Sequence, residues 1–166
     1  MTSSVTQYIN VANKMAELGC QNPSSGIALL PVNFAEASSA TELLQASDTA
    51  TVRKLLKEAG VPLDEILERS QRPPYIKNKS VDWVAPILFL SAAFYSQNSL
   101  AVSVALSVIG NYATDLLKAA GRREEHVRLE IVVETEETKT FKKVSYNGPA
   151  DGIKDLAETI RTAFHD

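Results

Sequence analysis

The residues best able to do chemistry are few: Cys20 is the single cysteine, and His126 and His165 are the two histidines, in a chain of 166 residues. A cysteine nucleophile needs a base within hydrogen-bond reach to act as a thiolate. His126 opens an alternating apolar run, His165 lies beside the final residue, and neither has a cysteine-enzyme context around it. Cys20 follows Gly19 and reads as a small residue at a turn. Two histidines and one cysteine this far apart do not make a zinc motif, and no Asp/Glu run has the spacing of a calcium loop. The glycines are scattered, so neither a phosphate-cradling loop nor a dinucleotide fingerprint is present. No cofactor and no metal are therefore expected. Ser25 precedes Gly26 without the second glycine of a nucleophile elbow, so a hydrolase would have to assemble its site from distant residues with His126 or His165 as base.

Charged groups suggest two further chemistries. Glu124, Glu125, Glu130, Glu134, Glu136 and Glu137 invite a two-carboxylate reading, but acids alternating along a strand ordinarily form its solvated face. Arg53, Lys54 and Lys57, the turn Gly60-Val61-Pro62, and Arg69 and Arg72 imitate a helix-turn-helix DNA reader. Its second helix would begin with Asp64-Glu65, acids at the end that must face phosphate, and a net charge of −3 with pI near 5.5 gives no global basic field. Nucleic acid is not the expected partner. The polar first residues lack the basic start and apolar run of a signal peptide, which makes the cytoplasm the expected location.

The elements that would position these residues follow from periodicity. Val5, Tyr8, Ile9, Ala12, Met15 and Ala16 recur at helical spacing, Ser4-x-x-Gln7 offers a capping box and Gly19 a stop, so one helix is predicted from Ser4 to Gly19. The stretch from Cys20 to Phe34 reads as an irregular loop that dips into the core at Ile27 to Leu30, with room for a short strand. A brief helix is expected after Ser39, and another after Asp48 with Val52, Leu55, Leu56 and Ala59 on one face. Gly60-Val61-Pro62 then turns the chain into a helix from Asp64 to about Arg69, making a helical hairpin. Arg72-Pro73-Pro74-Tyr75 favours an extended linker. The predicted organisation is a helical region over 1–71, a linker over 72–80, and a second unit over 81–166, the two units being separate or one compact body.

Val84 to Ile109 carries no charge, and its apolar residues occupy every face. Length and the abundance of Ala and Leu favour a pair of helices, broken near Asn98, the second reaching about Ala120 before Gly121. As a membrane span the segment would set Gln97 and Asn98 near the bilayer midpoint, where unsatisfied polar groups are costly. Burial in protein is therefore preferred, and a membrane-associated component flanked by Lys77, Lys79, Lys118, Arg122 and Arg123 is the alternative. Surplus apolar surface at Leu88, Phe89, Phe94, Tyr95, Leu100, Val104 and Val108 would form an interaction surface for a protein partner or a second copy. Beyond Gly121, Val127, Leu129, Ile131 and Val133 alternate with polar residues, and Lys139 to Tyr146 can return beside them as a hairpin. Ile153, Leu156, Ala157, Ile160, Ala163 and Phe164 form the stripe of a terminal helix that covers it.

The fold class expected is α+β and predominantly helical: N-terminal helical hairpins, a central apolar helix pair, and a C-terminal β-hairpin covered by the terminal helix. The order from Asn98 onward, an apolar helix, then Val127-Arg128-Leu129-Glu130-Ile131, then Phe141-Lys142-Lys143-Val144, then the helix Ile153 to Phe164, resembles small effector-associated components of bacterial conflict systems. The resemblance spans about 98–166 and rests on element order and hydrophobic pattern. It implies an adaptor or coupling part without catalytic residues of its own. The expected function is a non-catalytic adaptor or regulatory subunit, acting through protein contacts or self-association and coupling to an effector enzyme.

Overall fold

The computed structural model describes residues 2–23, 25–76, 82–121 and 126–165. Thr2–Gln7 is β1, and α1 (Val11–Leu18) starts at Asn10, whose side chain accepts the Asn13 N–H at 3.0 Å. Gly19 ends α1 in the left-handed region, with φ 71°. The helix expected from Ser4 is thus a strand followed by a shorter helix. Ser4-x-x-Gln7 lies inside β1, where Thr, Val and Thr suit extended backbone and β7 supplies the pairing partner.

After β2 (Ile27–Leu30) come a 3-10 turn at Ala40–Glu42 and α2 (Thr49–Glu58), followed by Gly60 at φ 86°. The helix predicted from Asp64 does not form. Leu63–Asp64 is instead β3, paired in parallel with β2, and a single 3-10 turn at Arg69–Gln71 follows. Among the described residues the segment that follows α2 supplies no α-helix to pair with it, so the helical-hairpin expectation is corrected. Part of the expected linker is tied down: the Gln45 N–H donates to Pro74 O and the Ile76 N–H to Gln45 O. The rest of it, 77–81, lies outside the described residues.

The apolar segment is the largest departure. Trp83–Val84 is β4 and Ile87–Leu90 is β5, so only its second part is helical: α3 (Ala92–Gln97), a break at Asn98, and α4 (Ser99–Ala119). The predicted break and the predicted end near Ala120 stand where expected, and the central helix pair as a whole does not. β6 (Val127–Glu134) and β7 (Phe141–Gly148) make the expected hairpin, and a 3-10 turn at Ala150–Asp155 leads into α5 (Leu156–His165).

The strands form one mixed seven-stranded sheet in the order β1-β7-β6-β5-β2-β3, with β4 beside β6. β5 runs parallel to β6 and antiparallel to β2, so strands from both sides of the predicted linker share the sheet. With 44% of the described residues helical and 23% in strands, the fold is α+β and not predominantly helical. One face carries Leu88, Leu90, Leu129, Ile131 and Val144 under α2, α4 and α5. The other carries Ile87, Phe89 and Val132 under α1 and the loop around Phe34 and Leu43. β5 is buried on both faces, which is why it reads as an unbroken apolar run.

α4 is held down by Val102, Ala105, Leu106, Ile109, Ala113 and Leu117. At Gly110 it lies close to the 3-10 turn before α5: a Cβ there would be in ordinary van der Waals contact with Ala150 O at 3.4 Å and Ile153 Cβ at 3.6 Å. These contacts fix which side of α4 faces outward.

Candidate functional site

The chemistry-bearing residues do not converge. Cys20 is half-buried, burial pushes its thiol up from the ordinary value, and among the described residues no hydrogen bond or ion pair joins its side chain to either histidine. His126 is exposed at the start of β6. His165 Nδ1 lies 2.7 Å from Glu136 Oε2, which ties the end of α5 to the hairpin turn. The acids are spread over separate ties: Glu130 pairs with Lys143 at 3.6 Å across the hairpin, and Glu134 accepts the Ala92 N–H at 2.8 Å at the start of α3. Glu124 and Glu125 lie outside the described residues. Ser25 is exposed, and a Cβ at the neighbouring Gly26 would fall 1.8 Å from Asp64 Oδ2, so a larger residue there would have to displace that carboxylate. Among the described residues no group of three or more His, Cys, Asp or Glu could hold a metal ion.

The basic residues of the supposed DNA reader meet a carboxylate. Arg53 Nε, Lys57 Nζ and Arg72 Nη2 reach Glu65 Oε1 at 3.3, 3.3 and 3.4 Å. Burial lowers the Arg53 guanidinium from its ordinary value while Glu65 opposes that shift. This cluster fastens α2 to the segment after β3 and gives Arg53, Lys57 and Arg72 a protein carboxylate as partner.

The side of α4 away from the sheet is different in kind. From Ser99 to Thr114 it bears no charge; the first ionisable acid is Asp115. Ser99, Leu100, Ser103, Ser107 and Asn111 are exposed, and Ala101, Val104, Val108 and Tyr112 are half-buried beside them. The outermost is Leu100, 77% exposed. It stands between two shallow grooves: about 470 Å³ toward the end of α2, where Gly60 and Val61 form the wall, and about 290 Å³ toward α5, where Ala157, Glu158 and Arg161 do. The surface is built locally. Ser91 caps α3 by accepting the Phe94 N–H at 3.2 Å, and the break at Asn98 lets α4 start in a new direction.

The expected interaction residues therefore divide. Leu88, Phe89, Phe94 and Tyr95 are core residues, at most 8% exposed, and Tyr95 packs on Phe164 with ring centroids 4.5 Å apart. Leu100, Val104 and Val108 do reach the surface, together on one side of α4. The four-residue spacing of Ser99, Ser103 and Ser107 marks this face in the sequence as a small-residue stripe that allows close helix contact, and Asn111 continues it. Such a face can exclude water against another apolar or small-residue surface, and burying Leu100 alone is worth about 2 kcal/mol. The chain matches no protein-family model, no curated protein and no solved structure.

Proposed function

We propose that the chain is a non-catalytic adaptor or regulatory subunit that holds a partner protein on the outer face of α4. The observation that carries this reading is the uncharged exposed side of the helix with Leu100 at 77% exposure between two grooves. An isolated exposed leucine is ordinary, whereas one at the crest of an uncharged surface flanked by concave walls has the form of an interface anchor. The partner surface is an apolar or small-residue helix, because a charged side chain pressed onto the crest of this face would lose its water, and the charges that line one groove, Glu158 and Arg161, are already paired with each other. The resemblance of the C-terminal part to effector-associated adaptors points to an effector enzyme as that partner. Capture from the native host tests the reading: the wild-type chain should retain one specific protein, and Leu100→Glu should reduce its recovery about tenfold or more while the fold is kept. Equal recovery by both would contradict it.

A membrane-associated reading draws on one observation of its own, since α4, with 21 residues and a hydropathy of 1.5, is long and apolar enough to cross a bilayer. Its core-facing side already holds the sheet, so contact with lipid would fall to the same outer face. Flotation with liposomes separates the readings: the adaptor stays in the soluble fraction, and a membrane component floats.

A further inference from the structure

The two ends of the sheet are unlike each other. β3 closes one end with two residues, and β1 closes the other with six. β7 occupies one side of β1, and among the described residues no strand pairs with the opposite side. Every residue from Ser3 to Gln7 is exposed. Proteins ordinarily guard such an edge with lysine, proline, a bulge or brevity. The sequence Thr-Ser-Ser-Val-Thr-Gln has no charge and no proline, its ladder with β7 runs unbroken over six pairs, and its central Val5 is 44% exposed.

We propose that β1 pairs edge to edge with β1 of a second copy, antiparallel, continuing one sheet through both chains. Charge placement selects this orientation. Lys142 and Lys143 stand beside Gln7 and Thr6, and Tyr146 and Asn147 stand beside Ser3 and Thr2. Parallel pairing would bring the Lys142 and Lys143 ends of both copies together, which antiparallel pairing avoids. An uncharged strand also meets its own copy without repulsion, and closed two-fold pairing is the commonest form of self-association.

Sheet geometry then fixes the register. Residues opposite one another in an antiparallel pair share a face, and a two-fold axis that reverses the strand runs perpendicular to the sheet and preserves its faces. Val5 shares the face of its partner Val144, as do Ser3 and Gln7, while Ser4 and Thr6 lie on the other. Opposed positions must therefore both be odd or both even, which forces one residue to sit opposite itself. Val5 is that residue, because self-pairing covers the one apolar side chain of the strand. Ser3 then faces Gln7 of the other copy. This interface is separate from the outer face of α4, and a dimer made this way presents two such faces.

Cysteine cross-linking tests the pairing on a Cys20→Ser background. Cross-strand Cα separations of 4.5–5.5 Å suit a disulfide. Under mild oxidation Val5→Cys should give a covalent dimer at least about tenfold faster than Ser3→Cys, whose partner position holds no cysteine. Sedimentation from micromolar to near-millimolar chain should show reversible dimerisation, lost in Val5→Lys and kept in Leu100→Glu. Equal linking at both positions, or a monomer throughout the range, overturns the proposal. Because Leu100→Glu is read in partner capture and Val5→Lys in self-association, failure of one proposal leaves the other standing.

Discussion

The Trp83 indole N–H donates to the Asp48 carboxylate at 2.7 Å, joining β4 to the residue that precedes α2. Trp83 also sets its ring edge-on to Tyr112 of α4, with centroids 5.6 Å apart. One buried side chain thus connects the sheet to both helices that border the larger groove at Leu100. Asp48→Ala should cost about 2 kcal/mol in urea unfolding, since it leaves a buried donor without its charged acceptor, and Asp48→Asn should recover most of that. An unchanged unfolding midpoint in Asp48→Ala would show that the bond does not hold these elements together.

Asp48 also illustrates what the sequence hides. Its place before an amphipathic run correctly marks the start of α2, yet its side chain makes no cap bond and serves Trp83 instead, a partner 35 positions away that no local pattern reveals. The legible elements share a period: the hairpin of Val127 and Phe141, the α5 stripe of Ile160 and Phe164, and α4 after Asn98. β5 was not legible, because Ile87 to Leu90 is buried on both faces and a doubly buried strand has the same apolar run as a buried helix. Pro86 and the neighbouring Trp83, Val84 and Ile87 were the signal for strand. β1 was hidden differently. Val5, Tyr8 and Ile9 fit a helical period by coincidence, and its pairing partner β7 begins 134 residues after it ends. Of the residues expected at the surface, Leu100 is strongly exposed and Val104 and Val108 are half-buried, and apolar character alone does not separate them from the buried Leu88 and Phe89.

The buried tyrosines make the fold sensitive to alkali. Tyr8, Tyr95, Tyr112 and Tyr146 all have hydroxyls pushed above their ordinary value, by burial first; acids add to this at Tyr8 (Glu130 and Glu36), Tyr112 and Tyr146, while Arg161 opposes it at Tyr95. The native state keeps protons that the unfolded chain releases above pH about 10, so stability is full below that pH and falls as pH rises beyond it. Urea midpoints should fall between about pH 9 and pH 11, and Tyr8→Phe should flatten the decline. A midpoint independent of pH over that range would contradict the assigned burial.

Cys20 should behave as a poor nucleophile. With its thiol pushed up by burial, less thiolate is present at pH about 8 than in a free cysteine. Alkylation of the native chain should be slower than that of the urea-unfolded chain. Native reactivity above that of free cysteine would place an activating group beside it and overturn the non-catalytic reading.

The most direct measurement of the docking claim is site-specific photo-cross-linking in the native host, with a photoreactive residue at Leu100 and, as control, at Glu17 on α1, which covers the opposite face of the sheet. The adaptor account predicts one dominant protein adduct from position 100 and none of that mass from position 17. Adducts to lipid alone, no adduct at position 100, or the same products from both positions would contradict it.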